Sequence, residues 1–330
     1  MRLILAPMEG LLDDVLRDVL TRAAVYDWTV SEFMRVSGTL LPHRFYARLC
    51  PELLTGGRTA AGTAVRLQLL GSDPPCIAEN AEHLLALAPP GIDLNFGCPA
   101  PTVNRHRGGA ALLDEPDLLY DIAAAVRSVV PRSLPFTAKM RLGIADKGRA
   151  IECARALAAG GVDELVVHAR TKSEGYRPPA HWEWVGLVAD AVAIPIVANG
   201  EVWSEADWMR CREVSGVADV MLGRGAVADP FLATRIRHRA GSSTPVGEPD
   251  RDAEWEALKP LLALFWWRVR RKLAPRFAPG RLKQWLNLLR RNHPGAEALF
   301  QEIRALPRVG EINAALGRYG IQAETVALAA

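Results

Sequence analysis

Apolar and polar positions alternate regularly along the first 240 residues of the chain. Eight short stretches are mostly apolar and rich in aliphatic and β-branched residues, which predicts buried strands. These stretches are residues 3–6, 28–33, 64–69, 92–95, 136–141, 164–168, 194–199 and 217–223. Between them lie segments in which apolar residues have helical spacing, such as 117–129, 148–159 and 205–214. The pattern therefore predicts strands that alternate with helices.

The number of strand–helix units bears on the fold class. Eight units within about 240 residues match the size of a TIM barrel. A doubly wound open sheet would show the same alternation of strands and helices. The count of eight favours an α/β fold with a TIM (β/α)8 barrel.

The pattern changes after residue 239. Residues 240–252 are rich in glycine, serine and proline, which is typical of a linker. Beyond them the apolar residues have helical spacing only, at Leu258, Leu261, Leu262, Phe265, Val269, Leu282, Trp285, Leu286 and Leu289. We therefore predict a barrel domain over residues 1–239, a linker over 240–252 and a small all-α helical bundle over 253–330.

The composition excludes several classes of protein. Hydrophobic residues make up 49% of the 330 residues and charged residues 23%, so we expect a folded core rather than disorder. No apolar run reaches the ~18 residues that cross a bilayer, and the apolar run at the N-terminus is too short for a signal peptide. Five scattered cysteines without a CxxC pair predict neither a zinc site nor a disulfide framework. We expect a cytoplasmic protein without a metal site.

The net charge of +3 is unevenly distributed. Residues 253–308 contain four acidic side chains and twelve basic ones, which leaves this segment at +8 and the rest of the chain at −5. The basic residues are Lys259, Arg268, Arg270, Arg271, Lys272, Arg276, Arg281, Lys283, Arg290, Arg291, Arg304 and Arg308. Such asymmetry is typical of a surface that binds a polyanion, and it is also compatible with ordinary solvated helix faces.

Polar or otherwise special residues follow nearly every predicted strand. They are Pro7, Met8, Glu9 and Gly10; Glu32 and Arg35; Gln68; Asp93, Asn95 and Cys98; Lys139 and Arg141; His168 and Arg170; Asn199, Gly200 and Glu201; and Gly223, Arg224 and Gly225. In a TIM barrel the carboxyl ends of the strands meet at one mouth, where active sites lie. A single residue of this kind is more often structural, but a ring of them indicates a functional site.

The last two strand ends suggest a phosphate site. Glycine lets the backbone approach a phosphate closely, and exposed N–H groups at a helix N-terminus then bind it. The loops after strands seven and eight are the usual phosphate site of a TIM barrel. Tight turns would require the same glycines, but Arg224 at the same place favours a phosphate.

Eight motifs together resemble one family. They are APMEG (6–10), SEFMRV (31–36), DLNFGCPAPTVN (93–104), KMRLG (139–143), HARTKSEGY (168–176), ANGEV (198–202), GRGA (223–226) and RLKQWLNLLR (281–290). Their order and spacing resemble the tRNA-dihydrouridine synthases, and in particular the C-type bacterial branch. The resemblance covers almost the whole chain.

The resemblance implies an FMN cofactor in the barrel mouth. Pro7, Met8 and Glu9 would line the isoalloxazine ring, and Gln68 and Lys139 would face its polar edge. His168 would lie near the flavin or its phosphate. The ribityl phosphate would be held by Asn199, Gly200, Glu201, Gly223 and Arg224. A lysine suits this place because a fixed ammonium stabilises the negative charge of reduced flavin near N1 and O2.

The resemblance also implies the reaction. NADPH would reduce the flavin, and the C5=C6 bond of a D-loop uridine in tRNA, expected to be uridine 16, would be reduced to dihydrouridine. Cys98 would be the acid that gives a proton to C5, since a thiol is mostly protonated at neutral pH. Asn95 would hydrogen-bond the uracil edge, because an amide offers a donor and an acceptor. Arg35 and Tyr176 would contact the RNA.

The C-terminal helices would bind the folded tRNA. By the resemblance, the phosphate contacts would be Arg270, Arg271, Lys272, Arg276, Arg281 and Lys283. We expect Trp266, Trp267 and Trp285 to be core residues rather than stacking platforms, because leucines surround them at helical spacing. We expect the protein to act as a monomer.

One departure from the family pattern follows the cysteine. Family members usually carry a basic residue shortly after the Cys-Pro pair, and Pro101 stands there in this chain. Arg105, His106 and Arg107 follow, and they are candidates for the missing phosphate contact.

Two other functions remain open. One is an FMN-dependent barrel enzyme that reduces a small enone or a free pyrimidine, which would not need the basic helical segment. The other is a non-catalytic RNA-binding protein, which would need neither a flavin site nor Cys98.

Overall fold

Nine strands and fourteen α-helices occur in the computed structural model, which describes residues 1–104, 108–241 and 249–322. The strands are β1 (Leu3–Leu5), β2 (Trp28–Val30), β3 (Met34–Arg35), β4 (Ala64–Leu70), β5 (Ile92–Phe96), β6 (Phe136–Arg141), β7 (Glu164–His168), β8 (Ile196–Asn199) and β9 (Asp219–Leu222). Short 3-10 helices lie at Pro51–Thr55 and Gly109–Asp114.

The helices follow the strands along the chain. They are α1 (Asp14–Ala23), α2 (His43–Leu49), α3 (Pro74–Leu85), α4 (Pro101–Asn104), α5 (Pro116–Val129), α6 (Ala150–Ala159), α7 (Trp182–Ala191), α8 (Glu205–Ser215), α9 (Arg224–Ala228), α10 (Leu232–Gly241), α11 (Arg251–Lys272), α12 (Ala278–Leu289), α13 (Pro294–Ile303) and α14 (Val309–Arg318). None of these helices is both long enough and apolar enough to cross a membrane.

Eight parallel strands close into a barrel. The order is β2-β1-β9-β8-β7-β6-β5-β4, and β2 also pairs with β4, which completes the circle. The remaining strand, β3, is not one of these eight. It pairs in parallel with the last residues of β4, just beyond the part of β4 that pairs with β2. The predicted TIM barrel is confirmed.

Four of the predicted strands, namely the first, second, seventh and eighth, are shorter than expected. The second ends at Val30, and a separate two-residue strand, β3, begins at Met34. The seventh begins at Ile196 instead of residue 194, since Pro195 has no N–H to donate to a neighbouring strand. The start of the seventh strand is therefore set by a missing backbone donor, which the hydrophobic pattern does not report.

The inside of the barrel is divided into an apolar part and a polar part. Apolar side chains from five strands pack on one another: Ile4, Ala6, Trp28, Val30, Val166, Val197 and Met221. Strands β4, β5 and β6 instead direct polar side chains inward, and the register places Gln68 beside Asp93, Asp93 beside Thr137, and Asn95 beside Lys139. Buried polar groups must be hydrogen-bonded, so this part has to form a network.

The chain forms two compact units. One consists of residues 1–14 and 26–223 and contains the whole barrel; the other consists of residues 15–25 and 224–330. The division into a barrel domain that ends at residue 239 and a helical domain that begins at residue 253 stays a prediction. Most of the predicted linker, residues 242–248, lies outside the described residues.

The second unit is helical, with a core of tryptophan, phenylalanine and leucine. Trp266 and Trp285 are fully buried, as expected, whereas Trp267 is only half-buried. Phe265 packs against Trp285 with the ring centroids 4.8 Å apart. The indole N–H groups donate to Asn313 Oδ1 at 2.7 Å and to the Val227 carbonyl at 3.1 Å. These two tryptophans therefore hold α9, α11, α12 and α14 together.

Helix α1 is also bound within this unit. Asp18 on α1 accepts a hydrogen bond from Arg268 on α11 at 2.5 Å. Arg17 is fully buried and Asp18 is nearly so, although both are charged. A segment near the N-terminus thus completes a unit formed mostly by the C-terminal third of the chain.

A buried histidine, His293, lies beside a group of ion pairs in this unit. Asp229 is paired with Arg235 and with Arg251, and Glu254 is paired with the same two arginines. His293 is fully buried, and burial lowers its pKa to about 4, although Asp229 acts in the opposite direction. The imidazole is therefore neutral in the folded chain at physiological pH.

Acid should destabilise the fold through His293. The unfolded chain protonates this side chain near pH 6.5 and the folded chain only near pH 4, so the free energy of unfolding should fall as the pH decreases through that interval. The loss from His293 is on the order of 3 kcal/mol. Urea unfolding of wild type and His293→Gln between pH 7 and 4 would measure it. We expect a shallower pH dependence in the variant, and identical slopes would contradict this assignment.

Candidate active site

Four interior side chains on β4, β5 and β6 are joined by hydrogen bonds. Thr137 Oγ1 donates to Asp93 Oδ1 at 2.6 Å, and Gln68 Nε2 donates to Asp93 Oδ2 at 2.7 Å. Asn95 Nδ2 donates to Gln68 Oε1, also at 2.7 Å. Burial raises the pKa of Asp93, while the hydrogen bonds from Gln68 and Thr137 act in the opposite direction. The predicted cofactor residue Gln68 and the predicted substrate residue Asn95 are thus joined by a direct hydrogen bond.

Cys98 lies in a loop that follows β5 and is held by Asn95. Asn95 Oδ1 accepts hydrogen bonds from the backbone N–H of Gly97 and of Cys98, both at 2.9 Å. The Cys98 carbonyl accepts from Asn104 Nδ2 and from the Ala110 amide. A local turn closed by an asparagine side chain therefore fixes the direction of the cysteine.

The next residues of the chain pack closely over this loop. Gly109 has φ +62°, and a Cβ at that position would lie 2.8 Å from the Cys98 carbonyl oxygen. Only glycine fits there, because any side chain would collide with the backbone of the loop. The Cys98 side chain packs with Leu70 and Val103 and is 8% exposed.

The Cys98 thiol is protonated in this environment. Burial raises its pKa, and the negative charge of Glu9 adds to the effect. Lys139 and Arg141 act in the opposite direction but do not reverse it. A neutral thiol can donate a proton, which is the state that a general acid requires.

Lys139 occupies an unusual position inside the barrel. It points inward from β6 beside Asn95, and it is half-buried. Burial lowers its pKa to about 7, and the neighbouring Arg141 contributes in the same direction. Within the described residues no hydrogen bond reaches its ammonium group. A cation that loses hydration without gaining an acceptor is suited to an anionic ligand.

Arg141 joins the cysteine loop to the loop after β7. Its Nε donates to the Gly97 carbonyl at 2.9 Å, and its Nη1 donates to the carbonyls of Thr171 and Gly175 at 2.9 and 2.8 Å. Its guanidinium lies 5.3 Å from the ring centroid of Tyr176, which is 54% exposed. Tyr176 is therefore presented to solvent by a buried cation.

The turn after β8 has two consecutive residues with positive φ. Gly200 has φ +117° and Glu201 has φ +60°. A Cβ on Gly200 would lie 3.0 Å from Cδ2 of His168, so the backbone passes directly beside this ring. The Glu201 carboxylate pairs with the fully buried Arg170 and accepts a hydrogen bond from Trp203 Nε1 at 3.1 Å. These bonds neutralise its charge, while the Gly200 carbonyl accepts a hydrogen bond from Trp182 Nε1 at 2.9 Å.

The other predicted cofactor residues lie at neighbouring strand ends. Asn199, at the end of β8, donates through Nδ2 to the Met221 carbonyl at 2.8 Å. Pro7 and Met8 are half-buried after β1, and Glu9 is exposed. Met8 Sδ lies 3.8 Å from the position that a Cβ on Gly223 would take. The end of β1 and the end of β9 therefore meet.

Several predicted residues lie elsewhere. Arg35 is on β3, beside Leu70 in the register. Arg224 is the first residue of α9 and belongs to the helical unit. Arg105, His106 and Arg107 lie outside the described residues, so the proposed replacement of the basic residue at Pro101 stays a prediction.

The predicted tRNA contacts lie on α11, on α12 and in the segment between them. Arg271, Lys272 and Arg276 are exposed, and Arg270, Arg281 and Lys283 are half-buried. Arg271 covers the Trp267 ring at 4.9 Å from the ring centroid, and Arg276 covers Phe277 at 4.7 Å. The helical unit thus carries cations fixed on aromatic rings.

Three buried residues contribute to the site although the sequence predicted no role for them there. Asp93 and Thr137 form the base of the polar network, and Arg170 holds the turn after β8. A signal was available for all three, because each is a polar residue at an inward position of an otherwise apolar strand or directly after one. Inward polar residues in register across strands predict a network.

Known proteins resemble this chain in sequence over most of its length. The profile of the family described as "Dihydrouridine synthase (Dus)" matches residues 4–259. A tRNA-dihydrouridine(16) synthase of Aquipseudomonas alcaligenes is 59% identical over 304 residues, which cover 92% of this chain and 95% of that protein. A protein of the same name from Pseudomonas putida is 54% identical over 317 residues, which cover 96% and 97% of the two chains.

The fold is shared more widely. Histamine dehydrogenase from Rhizobium sp. 4-9 superimposes with a TM-score of 0.54 at 13% identity, over 72% of this chain and 46% of that one. That likeness extends to the barrel architecture alone. The match over most of the sequence and the two curated relatives decide the identity: the chain belongs to the dihydrouridine synthase family.

Proposed function

We propose that this protein reduces the C5=C6 bond of a D-loop uridine in tRNA, at position 16, with FMN as cofactor and NADPH as reductant. Family membership supports the reaction, and the name shared by the two relatives supports the position. The observation that carries the proposal is the half-buried Lys139 ammonium beside the Asn95–Cys98 turn. It brings a cation for the cofactor next to a protonated acid for the substrate.

The residues present fit FMN. Lys139 offers an ammonium without a hydrogen bond in the described residues, and Gln68 offers the second hydrogen of its Nε2 group. The positive-φ turn at Gly200 and Glu201, together with Gly223, offers backbone that a phosphate can approach. Pro7, Met8, Glu9, His168 and Asn199 complete the part of the proposed cofactor site that lies in the barrel unit, and a phosphate contact by Arg224 stays a prediction. When bound, FMN supplies the hydride to C6 of the uracil.

The chain's own residues would control charge and proton transfer. Lys139 would balance the negative charge of the reduced cofactor near N1 and O2. Cys98, held protonated by burial, would donate its thiol proton to C5. Asn95 has one N–H hydrogen beyond its bond to Gln68, and this hydrogen would bind a carbonyl of the uracil.

The RNA would be held by exposed groups. The base must leave the RNA stack to reach a buried site. Other residues, outside that site, must therefore bind the rest of the folded tRNA. Arg35 and Tyr176 would contact the splayed segment. The phosphates would be bound by Arg270, Arg271, Lys272, Arg276, Arg281 and Lys283. We place the protein in the cytoplasm, as a monomer without a metal site.

Removal of the thiol tests the role of Cys98. Cys98→Ala should bind FMN and accept electrons from NADPH normally, while reoxidation of the reduced flavin by unmodified tRNA should slow by about 10²- to 10⁴-fold, because the acid is missing. Anaerobic stopped-flow absorbance would measure both steps. The control is Cys153→Ala, whose thiol is buried in α6.

The wild-type protein decides between the alternatives in the same experiment. Flavin that does not respond to tRNA would indicate a reductase of a small molecule. Protein that is colourless and takes up no FMN would indicate a non-catalytic RNA-binding protein. Either result would overturn the proposal.

A methyl group at residue 200 tests the phosphate turn. Gly200→Ala would be strained at φ +117° and would press on His168, so we expect FMN affinity to fall at least about tenfold. The control is Gly216→Ala, which has φ +68° but open space around the new methyl group. Fluorescence titration of FMN would compare the two. Equal affinities would show that the turn does not hold the cofactor.

Salt dependence tests the tRNA surface. Arg271→Ala/Arg276→Ala should weaken tRNA binding and reduce the slope of log Kd against log salt by about 2, one for each lost phosphate contact. Arg132→Ala, an exposed arginine before β6, is the control and should change neither quantity. The FMN absorbance spectrum should be the same in all three proteins. An unchanged slope in the double variant would place the tRNA elsewhere.

A further inference from the structure

A series of hydrogen bonds begins at the hydroxyl of Thr137 and crosses three strands. It passes through the Asp93 carboxylate, the Gln68 amide and the Asn95 amide, with distances of 2.6, 2.7 and 2.7 Å. We call the two amides of Gln68 and Asn95, together with the Asp93 carboxylate that accepts from Gln68, the amide relay. Asp93 is 1% exposed and Gln68 is fully buried, so water does not compete for these bonds.

The direction of every bond in the amide relay follows from its last step. The backbone N–H groups of Gly97 and Cys98 can only donate, so Asn95 must turn its Oδ1 toward them and its Nδ2 toward Gln68. Gln68 must then offer Oε1 to Asn95 and Nε2 to the residue on its other side. That residue has to be an acceptor, and it is Asp93.

We propose that Asp93 is a positioning residue for the reducing site: it is the terminal acceptor that orients Gln68 and Asn95 and thereby sets the loop that carries Cys98. The catalytic part of this inference rests on the proposed function, and the orientation of the loop does not. Asp93 itself does not reach the substrate, because it lies one layer below Asn95 on the same inward face of β5.

Other contacts hold the same loop from the opposite side. Arg141 binds the Gly97 carbonyl, and Asn104 and the Ala110 amide bind the Cys98 carbonyl. The amide relay binds the N–H groups of Gly97 and Cys98 through Asn95 Oδ1, and no other acceptor within the described ranges reaches them. Loss of Asp93 should therefore leave the loop in place but release these two amides and the orientation of Gln68.

Two nearly isosteric substitutions separate acceptor from shape. Asp93→Asn keeps an oxygen that can accept from Gln68, whereas Asp93→Leu has a similar size and accepts nothing. Hydrogen–deuterium exchange of the full chain, with and without FMN, would report the Gly97 and Cys98 amides; Pro99 has no N–H and adds no signal. We expect exchange about tenfold faster in Asp93→Leu and within about threefold of wild type in Asp93→Asn.

Turnover gives a second readout that general loosening of the barrel would not reproduce. Asp93→Leu should lower kcat for tRNA-driven flavin reoxidation by about tenfold or more and leave KM for tRNA unchanged, because Cys98 is displaced while the RNA surface is intact. Asp93→Asn should retain most of the activity. If tRNA does not reoxidise the reduced flavin of the wild-type protein, the proposed function is refuted, but the hydrogen–deuterium exchange result remains valid.

Two results would overturn the role of Asp93. One is unchanged exchange of both amides in Asp93→Leu. The other is equally fast exchange in Asp93→Asn and Asp93→Leu, since charge rather than an acceptor would then hold the loop. If Asp93→Leu does not fold, Gln68→Met interrupts the amide relay one step later with Asp93 intact. It should release the same two amides, and normal protection in that variant would equally refute the inference.

Discussion

Closure of the sheet between β2 and β4 is the constraint on which the rest of the site depends. In a closed barrel every second residue of each strand faces a narrow common interior, where water cannot satisfy polar groups. Residues from β4, β5 and β6 therefore have to satisfy one another, and the register leaves them few partners. The orientation of Gln68 and Asn95 follows from this geometry, and so does the position of the loop that carries Cys98.

The same burial acts in opposite directions on the two groups that matter most for proton and charge balance. It raises the pKa of the Cys98 thiol and lowers that of the Lys139 ammonium to about 7. Loss of hydration thus favours the neutral form of both the Cys98 and the Lys139 side chain. The two side chains are suited to different partners. The thiol keeps a proton that it can give away, and the lysine gains most by meeting a negative charge.

Much of the fold could be predicted from the sequence, because the hydrophobic pattern reports burial directly. The eight barrel strands and the ring of polar strand ends follow from it. Hydrogen-bond partners do not, since a pattern names residue types but not the atoms that meet. The pairing of Arg170 with Glu201, which leaves only the backbone of Glu201 for an anion, is one such case. The membership of residues 15–25 in the helical unit is another, because helical spacing does not identify the helices against which α1 packs.

That membership has a consequence for the synthesis and recombination of the chain. The helical unit joins α1 to a segment that is synthesised about 250 residues later, so its core cannot be completed until Arg268 and its neighbours have left the ribosome. No single cut divides the two units, and an exchange of helical units between relatives requires α1 to be exchanged as well. Strand β1 and almost all of α1 therefore belong to different units, although only the eight residues 6–13 lie between the two elements.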